Sequence, residues 1–68
     1  MMQITLNNRE EIIDRDTLSI EELIQYKNYT FKLLVTKIND QLVKKDDRTT
    51  TFIKDGDKVV VLHMISGG

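Results

Sequence analysis

Few residues in this 68-residue chain could do chemistry, and the most telling are Gly67 and Gly68. Glycine has no Cβ, so the pair can thread a narrow channel and take backbone angles closed to other residues. The reacting group there would be the α-carboxylate of Gly68, with Gly67 supplying flexibility and channel access. Taken alone, a Gly-Gly end is equally a frayed tail or an appended remnant. Its position changes that weighting. Only Ser66 separates it from an apolar β-rich run, so a folded body would hold it out like a short handle.

Side-chain chemistry is otherwise sparse. The chain has no cysteine, which removes disulfides, thiolate catalysis and cysteine zinc sites together. A single histidine, His63, excludes a His-rich metal site, and a lone histidine within a strand is structural more often than catalytic. Tyr26, Tyr29, Phe31 and Phe52 read as core edges or loop anchors. Lys44, Lys45 and Arg48, interleaved with Asp46 and Asp47, read as a solvated loop. A self-contained enzyme with a deep pocket is therefore not expected, nor a bound cofactor or metal.

The elements that must position such a tail can be read from periodicity. Met2, Ile4 and Leu6 alternate with Gln3 and Thr5, the pattern of a half-buried strand. Asn7-Asn8 tolerates the left-handed angles of a tight hairpin, and Arg9 to Asp14 supplies an antiparallel return strand. Ser19-Ile20-Glu21-Glu22 fits a capping box, with Leu18 and Leu23 as its hydrophobic staple. Ile20, Leu23, Ile24 and the Lys27 stem share one helical face, and the helix should end near Lys27 or Asn28. Leu33 to Ile38 alternates again, Asn39-Asp40 is a turn signal, and Gln41-Leu42-Val43 is a short extended piece. Thr49 to Ile53 is β-prone but irregular in part. Gly56 in Asp55-Gly56-Asp57 is free to take positive φ, and Lys58 to Ile65 is the strongest strand.

The first and last strands are the most apolar, so they should lie together at the sheet centre. A crossover through the helix makes such neighbours parallel and right-handed. The expected fold is α+β, a β-grasp or ubiquitin-like mixed sheet with one main helix on one face. Residues 1–65 would form that domain and residues 66–68 a flexible tail.

In the last strand Val59, Val61, His63 and Ile65 share one face, and Val60, Leu62 and Met64 the other. A sheet covered by a helix on one side must turn one row outward. Val60, Leu62 and Met64 are the expected outward stripe, open to a partner. The bland alternative is that loops, a second copy or the helix cover that row.

Length and composition bound the rest. A chain of 68 residues is one domain that buries only about 60% of its unfolded surface. Hydrophobic residues at 40% against charged residues at 31% suit a folded globule. The net charge of -1 gives no strong attraction to nucleic acid or an anionic membrane. No run approaches the roughly 18 apolar residues of a bilayer span, and the opening residues lack a signal-peptide pattern. The expected compartment is the cytoplasm. Acids outnumber bases across residues 1–22 and bases outnumber acids across 23–45, which could orient docking or simply be solvated.

The segment Ile38-Asn39-Asp40-Gln41-Leu42-Val43, the Asp55-Gly56-Asp57 turn with the apolar strand after it, the opening Met2-Gln3-Ile4 and the Gly67-Gly68 end together resemble the ThiS family. These are the sulfur carrier proteins of thiamin biosynthesis, and the likeness covers essentially the whole chain. It implies a β-grasp fold and a C-terminal thiocarboxylate on Gly68. It also implies a ThiF-type adenylyltransferase that uses ATP and Mg²⁺, a persulfide sulfur donor, and thiazole synthase (ThiG) as the recipient. Val60, Leu62, Met64 and Ser66 would then form the docking surface. Three rivals stand beside it: the small subunit of molybdopterin synthase (MoaD-like), a ubiquitin-like protein modifier, and a β-grasp binding module with a fortuitous tail. The molybdopterin family tends to have proline before its glycines, where this chain has His63-Met64-Ile65-Ser66 and no proline at all.

Overall fold

The computed structural model describes residues 1–30 and 33–63. Strand β1 (Met2–Leu6) turns at Asn7-Asn8 into β2 (Arg9–Ile13). Both asparagines have positive φ, 51° and 68°, the signature of a two-residue type I′ hairpin whose twist matches its strands. Short β3 (Leu18–Ser19) leads into α1 (Ile20–Tyr26), and β4 (Leu34–Ile38) and β5 (Gln41–Val43) form the second hairpin. Its turn, Asn39-Asp40, repeats the device with φ of 48° and 70°. A single 3₁₀ turn (Lys45–Asp47) precedes β6 (Phe52–Ile53), and β7 (Lys58–His63) follows.

Five strands form one mixed sheet in the order β2-β1-β7-β4-β5, while β3 and β6 pair separately. The first and last strands are adjacent and parallel, with Thr5 opposite Lys58 and Leu6 opposite Val59. Strand β4 runs antiparallel to β7 from Leu34↔His63 to Ile38↔Val59. This is the β-grasp arrangement. The β3–β6 pair escapes sequence reading because two-residue strands show no period.

The core lies between the sheet and α1. Met2, Ile4 and Leu6 of β1, Val59 and Val61 of β7, and Ile20, Leu23 and Ile24 of α1 are buried together with Leu18 and Ile53. Fully burying a side chain of this size contributes about 1.5–3 kcal/mol, so these few residues carry most of the fold.

The helix start is satisfied donor by donor. Ser19 Oγ accepts from the Glu22 N–H at 3.0 Å, and a Glu22 carboxylate oxygen accepts from the Ser19 N–H at 3.0 Å. The Ile20 and Glu21 N–H groups donate to the carbonyls of Thr51 and Arg48. A seven-residue helix is marginal alone; this one is pinned at its start by a loop and along its face by the core. It ends at Tyr26, with Lys27 as cap and Asn28 left-handed at φ 59°. Lys27 Nζ reaches Glu11 on β2 at 2.7 Å, so only its stem belongs to the apolar face.

Two expectations are corrected. Arg48 is not part of a solvated loop: it is 8% exposed. Its guanidinium donates to the Leu34 carbonyl at 2.6 Å and to Thr36 Oγ1 at 3.2 Å. The Thr36 hydroxyl in turn donates to the Val43 carbonyl at 2.7 Å. Thr36 sits on the inward row of β4, and this chain of bonds satisfies the polar groups buried there. Tyr26 and Phe52 are not core edges either. Both are more than half exposed, because the helix ends at Tyr26 and Phe52 alternates outward from buried Ile53.

Candidate functional site

Strand β7 is the element that leads in sequence to Gly67 and Gly68, and its neighbours hold it from both sides. The Asn39 N–H donates to the Lys58 carbonyl at 2.7 Å, and Asn39 Oδ1 accepts from the Lys58 N–H at 2.9 Å. Backbone pairing with β1 follows: the Thr5 and Asn7 N–H groups donate to the carbonyls of Asp57 and Val59. Where β1 turns away, the Asn7 side chain takes over. Its amide donates to the Val61 carbonyl at 3.0 Å and its oxygen accepts from the Val61 N–H at 2.8 Å. An asparagine side chain carries the same donor and acceptor as a peptide group, so Asn7 extends the ladder past the hairpin.

Asn7 and Asn39 thus tolerate left-handed turns and also clamp β7 near its two ends. Sequence reasoning saw the first role and missed the second. The signal was the residue type: glycine would meet the φ requirement, yet both turns place asparagine first.

The turn before β7 is tied to the sheet as well. Gly56, at φ 88°, donates its N–H to the Gln3 carbonyl at 2.7 Å, and Asp55 Oδ1 accepts from the Gln3 N–H at 2.6 Å. Asp57 Oδ2 accepts from the Lys54 N–H at 2.8 Å. The strand therefore starts from a fixed point.

Alternation along the clamped strand divides its side chains. Val59 and Val61 enter the core, while Val60 is half-buried and Leu62 is 52% exposed on the opposite face. His63, the last described member of the inward row, is already exposed. Pair register shows what shares the outer face: Val35 lies opposite Leu62, Lys37 opposite Val60, and Leu42 opposite Lys37. Leu42, on β5, is 61% exposed. The outward stripe is thus wider than the last strand, spanning β7, β4 and β5. A shallow cleft of about 300 Å³ lies beside the end of β7, lined by Asn7, Tyr29, Leu34, Val61, Leu62 and His63.

Of the residues expected to act, Val60 and Leu62 fall together on this face. Met64, Ser66, Gly67 and Gly68 lie outside the described residues, as does Phe31. Among the described residues no group of three or more His, Cys, Asp or Glu side chains could hold a metal ion, and no helix is long and apolar enough to cross a membrane.

Comparison with known proteins bears on the whole chain. The model of the ThiS family matches residues 2–68. The crystal structure of a thiamine biosynthesis protein (ThiS) from Geobacter metallireducens superposes with a TM-score of 0.88 at 25% identity, covering 98% of this chain and 100% of that one. A solution structure of a thiamine biosynthesis protein from the same organism gives 0.80 at 25% identity, covering 98% and 88%.

Proposed function

The chain belongs to the ThiS family, the sulfur carriers of thiamine biosynthesis, and from that premise we propose that the Gly68 carboxylate is the group that carries the sulfur. What supports this reading is the reach of the family match, which runs from β1 to the second glycine. A free carboxylate is a poor electrophile, because its oxygen is a poor leaving group. A ThiF-type adenylyltransferase, using ATP and Mg²⁺, joins a carboxylate oxygen to the α-phosphorus and releases pyrophosphate. A persulfide or sulfide then attacks the carbonyl carbon and AMP departs with that oxygen. Sulfide gives Gly68–C(O)–SH, the donor for thiazole synthase, directly. A persulfide gives an acyl disulfide, which a second thiol cleaves by forming a disulfide with the donor's sulfur and releasing the same thiocarboxylate.

This chain's own contribution is presentation. Asn39 and Asn7 hold β7 to the sheet up to Val61, so the strand delivers its tail from a defined position. Val60 and Leu62 supply the face on which each partner docks, and Met64 and Ser66 belong to the same proposed docking set. Gly67 and Gly68, lacking Cβ, suit passage through a narrow channel.

The test is an intact mass after incubation with a ThiF-type enzyme, ATP and a sulfur source. Exchange of one carboxyl oxygen for sulfur is the expected result. Deleting Gly68 should abolish that exchange and leave the melting temperature unchanged. Sulfur loading of the shortened chain would sink the reading.

A further inference from the structure

We infer that the partner that docks on the outer sheet face presents a carboxylate to Lys37, within an otherwise apolar contact. The inference rests on the reading of that face as the docking surface for a sulfur-loading partner. Lys37 stands between two apolar neighbours on the same face, opposite Val60 on one side and opposite Leu42 on the other. It is exposed and makes no ion pair or side-chain hydrogen bond among the described residues. The other cation on the face, Lys58, is instead within 3.9 Å of Asp40.

Among the described residues no acid pairs with Lys37, the nearby Asp40 being the partner of Lys58. Register places Glu10 opposite Thr5 on the same face, but on β2, three strands from β4. Three strand spacings are about 14 Å, beyond the ~8 Å screening length for exposed charges at physiological salt. A partner that buried Val35, Val60, Leu62 and Leu42 would desolvate Lys37 with them. An ammonium group taken from water without an opposite charge is costly, so a wholly apolar partner surface is disfavoured and an acidic one selected. A second copy of this chain centred on Leu62 would bring two Lys37 side chains into one contact, with Glu10 further out. That occupant is disfavoured by the same argument.

Three variants test this with a ThiF-type enzyme as the binding partner: Lys37→Glu, Lys37→Arg and, as control, Lys45→Glu. Lys45 lies on the 3₁₀ turn leading to Arg48, whose carbonyl meets the helix start. Binding is read by association kinetics at low and raised salt, and folding by circular dichroism. Lys37→Glu should bind ~10-fold more weakly, Lys37→Arg should stay near wild type, and the control should be unaffected. Raised salt should weaken wild type more than Lys37→Glu. A Lys37→Glu chain that binds within twofold of wild type would overturn the inference, as would equal losses in Lys37→Glu and Lys45→Glu. A salt-sensitive self-dimer that blocks enzyme binding would overturn it too. Failure of the sulfur-carrier reading is seen separately, as an unchanged mass of the wild-type chain.

Discussion

Asn7 shows how much one side chain can do in a domain this small. Its backbone occupies the left-handed region at φ 51°, and its amide exchanges two hydrogen bonds with Val61. The two roles separate in the variant Asn7→Gly, which keeps the turn and loses the clamp. Each net hydrogen bond is worth about 0.5–1.5 kcal/mol, so losing both in Asn7→Gly should lower unfolding free energy by about 1–3 kcal/mol. Urea denaturation measures that loss. Amide exchange at Val61, whose N–H donates to Asn7 Oδ1, should also quicken. Unchanged exchange at Val61 would mean that the side chain does not hold the strand.

At the scale of elements, α1 depends on its first turn. Burial of Ile20, Leu23 and Ile24 fixes its face, while Ser19, Glu22 and the carbonyls of Arg48 and Thr51 fix its start. The Glu22 carboxyl lies below its ordinary value of 4.5, first because it accepts from the Ser19 backbone N–H and next because it accepts from Arg15. A carboxyl depressed on folding stabilises the native state above the unfolded value, and that contribution is lost as pH falls through the folded value. The melting temperature of wild type should therefore exceed that of Glu22→Gln near neutrality. The gap should close as pH falls below 4.5. A gap that persisted in acid would exclude the charged form of the capping box as its source.

Across the whole molecule the two faces of one sheet have different duties. The face toward α1 is closed by the core, and the other presents Val35, Val60, Leu62 and Leu42 around Lys37. Neighbouring residues of β7 therefore respond to truncation in opposite ways. Val61→Ala opens a cavity and should cost about 1–3 kcal/mol of stability. Leu62→Ala, at a half-exposed position, should cost less than about 1 kcal/mol yet weaken partner binding clearly. Thermal melts and binding isotherms on both variants check this, and a larger stability loss in Leu62→Ala would contradict the division of faces.

Most of the architecture was legible in the sequence because its signals are local. Alternation in Met2–Leu6, the nearly continuous β-branched and apolar run read from Lys58 to Ile65, the Ser19 capping box and the two asparagine turns each declare themselves within a few residues. The apolar character of the first and last strands even placed them side by side. Three things depended on residues far apart in the chain, and only the tertiary structure decided them. Arg48 is buried because Thr36 and the Leu34 carbonyl wait for it across the fold, which no local charge pattern reveals. Asn7 clamps Val61 although 54 positions separate them. Val35 joins the outer stripe because strand register brings it beside Leu62, and Leu42 follows on the far side of Lys37; the register between β4 and β7 is set by long-range pairing, not by any one segment.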